Sequence, residues 1–308
     1  MPEPPMPTHH GPESSERPGH ENETIRLLLH RASCRSFAGR PIPPETLDSI
    51  LEAGIHSATG GNLQPTSIIR IEDEERRARI AKLGGQPFIA SAPVLLLFCM
   101  DWRRLQRWAR LEAAPFTATK SFPHFWISFQ DTVICAQTIT IAADAVGLGS
   151  VYIGTTLEFI PELRETFALP SGVFPVVLVC LGYPRGTLQP RKKLGVETIV
   201  HRERYRELED RELLEAFEEK YAGQRIEITE DRLQALHDTA KSAHGDSFAE
   251  ECRQRAVDNG RISPVQRYFG LHYRADQMAS HNESFLRLME ESGFSWLAPD
   301  PFAGSGSS

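Results

Sequence analysis

The segment from Ile127 to Val146 constrains the fold of this chain more than any other. Asp131 and Asp144 are its only charged residues, and apolar or small residues occur on every face of a helix drawn through it. A helix of this kind has to be covered on all sides, either in a core or against another subunit. No apolar run reaches the ~18 residues that a membrane span needs, so the sequence predicts a buried helix of a globular protein.

Helical and extended patterns alternate before and after this segment. The predicted helices around it are Glu23 to His30, Glu45 to His56 (opened by Pro43 and Pro44) and Glu74 to Leu83. The predicted strands are Thr66 to Ile71, Pro93 to Met100, Ser150 to Ile153 and Phe174 to Leu181.

The chain divides into three predicted parts. Residues 1–22 hold six prolines and almost nothing apolar, which predicts a disordered N-terminal arm. Residues 23–206 carry the alternating pattern and form the predicted main domain. Residues 207–308 predict a helical C-terminal extension, with helices near 207–221, 231–243 and 283–291 and a frayed end after Trp296.

Composition limits the cellular compartments and the classes of partner that this chain is expected to have. The formal net charge is -7, so the chain has no general attraction to nucleic acid or anionic membranes. Five widely spaced cysteines without a C-x-x-C pair favour a reducing compartment, and the N-terminus lacks the pattern of a signal peptide. These features predict a cytoplasmic protein. The histidines lack paired spacing, so no metal site is expected.

Two short polar segments carry the functional signal. In Arg31-Ala-Ser-Cys-Arg35, an extended backbone points Arg31, Ser33 and Arg35 the same way, toward something anionic. In Gly60-Gly-Asn-Leu-Gln-Pro65, amide side chains lie on a glycine-rich turn. A phosphorylated ligand with a flat heterocycle suits both segments, and FMN is such a ligand. A solvated basic turn and ordinary turn residues are the competing interpretations.

The sequence resembles the nitroreductase family of FMN-dependent oxidoreductases, in its NfsA-like and flavin-reductase-P-like branch. The resemblance runs from about Thr24 to Tyr205 and consists of ordered blocks rather than one motif. The blocks are RASCRSF with PIPPETLDSILEAG, GNLQPTSIIRI, GGQPFIASAPVLLLFCMD, QDTVICAQTITIAADAVGLGSVYIG, and FPVVLVCLGYP followed by PR and TIVH.

The resemblance implies a fold and a chemistry. The expected fold is α+β, a central and mainly antiparallel sheet flanked by helices, in an intertwined homodimer with FMN at the subunit interface. The expected activity is NAD(P)H-dependent, with NADPH favoured: bound FMN takes hydride and passes it to a nitroaromatic, quinone or flavin acceptor. No side chain is needed as an acid or base, so no catalytic residue is predicted.

Site residues follow from the resemblance position by position. Arg31 and Ser33 are expected to hold the FMN phosphate, and Arg35 to reach the flavin, whose reduced form is stabilised by a cation. Asn62 and Gln64 are expected to contact the pyrimidine edge, since an amide both donates and accepts.

The resemblance implies that the strand after the long helix ends at Gly154 beside the flavin N5 edge, where Gly154 and Thr155 are the expected cofactor contacts. Thr155 follows, where the branch usually has a second glycine, and Leu157-Glu158 replaces the usual Arg-Asn. Gly147 and Gly149 are expected to end a helix rather than to form a dinucleotide fingerprint.

Two basic clusters remain. The family closes its phosphate site with Lys-Pro-Arg, which Pro190-Arg191 matches in part, with Gln189 in place of the lysine; Arg191 is the expected ligand. The tryptophan-bearing segment Trp102 to Arg110 predicts an amphipathic helix with Trp102 and Trp108 packed inward, although its arginines could instead attract the 2′-phosphate of NADPH.

Two other functions are compatible with the sequence. One is another enzyme on the same scaffold, a dedicated free-flavin reductase or a biosynthetic flavin dehydrogenase. The other is a non-catalytic flavin-binding protein that uses residues 223–308 to bind a partner.

Overall fold

The computed structural model describes residues 22–296, so most of the predicted N-terminal arm and the predicted frayed end lie outside the described residues. Its centre is one antiparallel sheet of four strands in the order β1-β2-β4-β3. The strands are β1 (Thr66–Ile71), β2 (Val94–Asp101), β3 (Gly149–Ile153) and β4 (Val173–Gly182). The prediction of a mainly antiparallel sheet flanked by helices is confirmed.

Helices cover both faces of this sheet and form the C-terminal part of the chain. They are α1 (Glu23–His30), α2 (Pro44–Ile55), α3 (Glu74–Leu83), α4 (Phe88–Ser91), α5 (Trp102–Leu111), α6 (Phe122–Ala145), α7 (Ile160–Thr166), α8 (Val196–Ile199), α9 (Asp210–Lys220), α10 (Glu230–His244), α11 (Asp246–Asp258), α12 (Pro264–Gln266) and α13 (Asn282–Glu291).

Strand β2 explains how the sheet is held. All eight of its residues are buried, because successive side chains point to opposite faces and both faces are covered. Leu96 and Phe98 pack in one cluster with Ile139 of α6. Leu95 and Leu97 pack in the other cluster with residues of α3, α4 and α7. Burial of this kind contributes about 25 cal/mol for each Å² of apolar surface removed from water.

The long helix α6 begins five residues before the predicted start. The Ser121 side chain accepts from the backbone N–H of His124 and caps the helix, and a proline lies in its first turn. The helix is buried on one side, where Ile139 and Ala143 are fully covered. Trp126 and Ile134, on the other side, are 54% and 44% exposed.

The C-terminal part has two kinds of contact. Helices α10 and α11 enclose a small cluster around Leu233 and Ala256. Beyond α13, Phe294 returns to the main core, where it packs against Phe174. The boundary between residues 206 and 207 stays a prediction, and the last described residues pack on the same core as the sheet.

The five cysteines are all free. Burial raises the pKa of both Cys99 and Cys180 to about 12, so these thiols stay protonated. Within residues 22–296, no helix is long and apolar enough to cross a lipid bilayer.

Candidate functional site

The segment from Arg31 to Phe37 runs beside the first residues of β3. The backbone N–H of Cys34 donates to the carbonyl of Ser150 at 2.9 Å. Ala32 and Cys34 are buried, whereas Ser33 and Arg35 are exposed and Arg31 is partly exposed. The alternation leaves Ser33 and Arg35 exposed on the outer face of the segment, whereas the Arg31 side chain is mostly covered.

Gly149 allows this close approach. A Cβ atom at position 149 would lie 2.6 Å from the Cβ of Cys34 and 3.1 Å from Cγ of Pro184. The backbone φ of Gly149 lies outside the left-handed region, so its lack of a side chain, not its conformation, is what the packing requires.

Arg31 lies between the end of α6 and the start of β3. Its Nη2 donates to Oγ of Ser150 at 3.2 Å, and its Nε lies 3.5 Å from Oδ2 of Asp144. The Arg31 and Asp144 side chains are only 20% and 11% exposed. Nε of Arg31 and Oδ2 of Asp144 are buried, and neither makes a hydrogen bond within the described residues. The pair therefore has the distance of an ion pair without hydrogen-bond geometry.

Asp144 is an unusual carboxylate. Burial raises its pKa from 3.8 to about 6, although the charge of Arg31 acts in the opposite direction. It also lies in the last turn of α6, where the negative end of the helix dipole disfavours an anion. Ionised Asp144 therefore costs the fold free energy.

We expect Asp144→Asn to stabilise the protein at pH 8. A folded-state pKa above the ordinary value means that stability falls as pH rises from about 4 to about 6, and stays lower above that. The amide has no charge to desolvate, so the variant should gain on the order of 2 kcal/mol at pH 8, shrinking toward zero at pH 4. Urea unfolding of both proteins at several pH values measures the difference. An equal or lower stability of the variant at pH 8 would contradict this expectation.

The second predicted segment forms a turn with an unusual backbone. Asn62 and Gln64 have φ of 54° and 51°, and Gly61 has φ of 60°. Non-glycine residues rarely adopt positive φ, and such residues cluster at functional sites. Both Asn62 and Gln64 are exposed.

Hydrogen bonds from α6, from α5 and within the turn hold its backbone in place. Both carboxylate oxygens of Asp131, in α6, accept from the backbone N–H of Gly60 at 3.1 Å. Burial raises the pKa of Asp131, and the Gly60 hydrogen bond partly offsets this. Arg104 of α5 donates to the carbonyl of Gln64 at 2.6 Å, and Nε2 of Gln64 donates to the carbonyl of Ile55 at 3.1 Å.

Gly154 and Thr155 follow the end of β3. Gly154 is exposed, and a Cβ atom there would meet nothing within 4 Å. Oγ1 of Thr155 accepts from Nε2 of Gln86 at 3.0 Å, so this hydroxyl is bonded to the turn after α3. A role for either residue in ligand binding stays a prediction.

Arg191 lies in the exposed loop between β4 and α8. The start of this loop is joined to the first segment, because the N–H of Arg185 donates to the carbonyl of Ser36 at 3.0 Å. Arg191 itself makes no hydrogen bond or ion pair with residues 22–296. Convergence of Arg191 with Arg31 stays a prediction.

The prediction that Trp108 packs inward is wrong. Trp102 and Leu105 are buried, but Trp108 is 59% exposed. At 3.6 residues per turn, Ala109 rather than Trp108 continues the inward stripe of α5. Arg104, considered for a nucleotide phosphate, is already bonded to the backbone of β1 and the preceding turn.

The two polar segments are held by opposite parts of one helix. Asp131 and Asp144 are separated by about 20 Å along the axis of α6 at 1.5 Å per residue. No hydrogen bond or ion pair joins residues 31–35 to residues 60–65 in the described chain. Among these same residues, no group of three or more histidine, cysteine or acidic side chains could hold a metal ion.

A sequence profile of the nitroreductase family matches residues 28–183, about half of the chain. The chain belongs to the nitroreductase family. An NAD(P)H FMN reductase of Bacillus subtilis is 35% identical over 186 residues, which cover 60% of this chain and 75% of that reductase. An oxygen-insensitive NADPH nitroreductase of Salmonella typhimurium is 32% identical over 200 residues, covering 65% and 81% of the two chains.

Solved structures extend the similarity of this nitroreductase family member beyond the matched sequence. The hypothetical oxidoreductase YcnD of Bacillus subtilis superimposes with a TM-score of 0.67 at 28% identity, over 89% of this chain and 98% of that one. The structural match therefore includes C-terminal residues that the sequence matches do not reach.

Several residues at the site of this nitroreductase family member were not predicted from the sequence as functional groups. They are Asp131, Asp144 and Ser150. A signal for the two acids was present, because they are the only charges within the predicted apolar helix. A buried carboxylate is costly and is retained where it has a partner, but the partner could not be named from the sequence.

Proposed function

We propose that this protein is an NAD(P)H-dependent FMN oxidoreductase that reduces nitroaromatic, quinone or flavin acceptors. Membership of the nitroreductase family and relatives named as FMN reductase and NADPH nitroreductase support this activity. The observation that carries the proposal to this chain is the polar face of residues 31–35, built against the start of β3. NADPH is favoured over NADH as the co-substrate, since several relatives are named for NADPH.

The residues present fit FMN. The Arg31 guanidinium uses Nη2 on Ser150 and keeps other N–H groups, while Ser33 and Arg35 are exposed on the same side. A guanidinium and a hydroxyl are suitable donors for a phosphate. In the turn, the bond from Nε2 of Gln64 to Ile55 leaves Oε1 to accept from a heterocycle N–H.

Each side chain then has a binding or orienting task. When bound, FMN supplies the hydride chemistry. Arg31, Ser33 and Arg191 hold its phosphate, and Arg35 stabilises negative charge on the reduced ring. Asn62 and Gln64 orient the pyrimidine edge. Gly154 and Thr155 form the wall beside the reacting face, where the missing Cβ of Gly154 leaves open space.

We further propose a homodimer in which two copies complete each site. The two polar segments lie about 20 Å apart along α6, so one chain does not bring them together. On α6, Ile134 lies between Asp131 and Asp144 and is 44% exposed, and Trp126 and Ile127, which precede Asp131, are 54% and 44% exposed. Exposed apolar surface of this kind marks a protein–protein interface. A second copy seated on α6 would cover this face and supply the missing segment.

Steady-state oxidation of NADPH tests the activity. We expect the FMN-loaded protein to consume NADPH faster when menadione, a nitroaromatic compound or free FMN is added. Comparing these three acceptors also separates a general oxidoreductase from a dedicated flavin reductase, which the similarity to an FMN reductase favours as the second candidate. Loaded protein that oxidises NADPH with none of the acceptors would contradict the proposal and indicate a flavin-binding protein without turnover.

A further inference from the structure

Asp144 faces the same guanidinium that the proposed function assigns to the FMN phosphate. The carboxylate oxygen Oδ2 lies 3.5 Å from Nε of Arg31, on a side chain that is 11% exposed. Oγ of Ser150 accepts a hydrogen bond from Nη2 of the same guanidinium at 3.2 Å. A phosphate bound by the remaining N–H groups of Arg31 would therefore share one cation with a buried anion.

We propose that Asp144 and the phosphate compete for Arg31, so that FMN binds together with a proton on Asp144. Asp144 is in this sense a positioning residue that acts on the ligand only through Arg31. The inference rests on the proposed function, because it requires that Arg31 binds the phosphate. It goes beyond that function by coupling cofactor affinity to pH.

The physical reason is the repulsion of two anions in a partly desolvated site. Like charges that share one partner disfavour each other, and one of them takes up a proton more readily. Asp144 already titrates near neutrality, since burial raises its pKa to about 6. A dianionic phosphate nearby raises the pKa of Asp144 further, so that Asp144 takes up a proton at a pH above 6.

Two of the three other titratable groups around the pair keep their charge over this pH range. The ring centroid of Tyr152 lies 6.0 Å from the guanidinium carbon of Arg31. Burial raises the pKa of the Cys34 thiol and the pKa of the Tyr152 hydroxyl, so both groups stay neutral between pH 5 and 8. His30 precedes Arg31 but is exposed, with Nδ1 2.8 Å from the carbonyl of Arg26. Asp144 is the buried group that changes charge.

The test compares the wild type with Asp144→Asn, an isosteric change that removes the charge and keeps an acceptor oxygen. The apoproteins are titrated with FMN and with riboflavin, which lacks the phosphate, and flavin fluorescence gives the dissociation constants. We expect the variant to bind FMN about fivefold more tightly at pH 8, and with nearly wild-type affinity at pH 5. Riboflavin affinity should be the same in both proteins. Ionisation of the phosphate itself affects both proteins and cancels in the ratio.

Calorimetry supplies an independent readout that a purely structural role would not change. Titration in buffers of different ionisation enthalpy counts the protons taken up with FMN near pH 7. The wild type should take up more protons per bound FMN than the Asp144→Asn variant. Asp258→Asn, which removes an exposed carboxylate from α11, is the matched control and should behave as the wild type.

Three results would overturn the inference while leaving the proposed function intact. They are FMN affinity at pH 8 that is unchanged or weaker in Asp144→Asn, an equal change for riboflavin and FMN, and equal proton uptake in both proteins. A wild-type protein that binds neither flavin would instead overturn the proposed function itself.

Discussion

Replacing Arg31 with alanine is expected to weaken FMN binding by about two orders of magnitude, since hydrogen bonds to a charged group contribute about 1.5–3 kcal/mol each. The guanidinium is held by Ser150 and Asp144, so it is pre-oriented for a ligand on its exposed side. Fluorescence titration of the apoprotein measures the loss. Riboflavin should bind to the variant and the wild type with similar affinity, because it has no phosphate.

Two controls make the Arg31 result specific. Arg31→Lys keeps the charge but not the planar fork of donors, so its FMN affinity should lie between that of the wild type and that of the alanine variant. Arg255→Ala removes an exposed arginine of α11 and should leave both affinities unchanged. An Arg31→Ala protein that stays folded and binds FMN as tightly as the wild type would exclude the proposed phosphate site.

Replacing Ile134 with glutamate is expected to convert a dimer into monomers and to abolish FMN binding with it. Ile134 is 44% exposed on α6, between the two polar segments. A charge buried without a partner costs about 3–5 kcal/mol, and a twofold interface contains the substitution twice. The dimer dissociation constant should therefore rise by at least about four orders of magnitude.

Light scattering coupled to size-exclusion chromatography measures the assembly, and the flavin absorbance of the same peak measures the cofactor. Val257→Glu introduces the same charge at an exposed apolar position of α11, and it should change neither the assembly state nor the amount of bound flavin. A wild-type protein that is monomeric and still binds FMN would contradict the shared site. A monomeric Ile134→Glu variant that keeps its FMN would contradict it equally.

Local patterns were enough to predict most elements of the main domain. The bounds of α1, α3 and β1 agree with the prediction residue for residue, because caps and apolar periodicity are local signals. Helix α11 was not predicted: it begins directly after Gly245, and its few buried positions, Ala249 and Ala256, give a weak apolar stripe. The prediction that Trp108 packs inward was wrong for a related reason. A shift of one residue along a helix is enough to move a side chain from the core to the surface.

The site was predictable only in part. Alternation along residues 31–35 follows from an extended backbone, and sequence alone predicts it. The ion pair of Asp144 with Arg31 and the bonds of Asp131 to Gly60 join residues far apart in the chain, and only the packing of α6 brings them together. Asp131 and Arg104, which hold the turn where Asn62 and Gln64 have positive φ, are likewise far from it in sequence.

The absorption spectrum of the freshly purified protein tests the central claim most directly. If this nitroreductase family member is an FMN oxidoreductase, the protein will be yellow, with flavin maxima that change on binding, and denaturation will release FMN equimolar with the chain. A colourless protein that takes up no FMN on reconstitution would contradict the account.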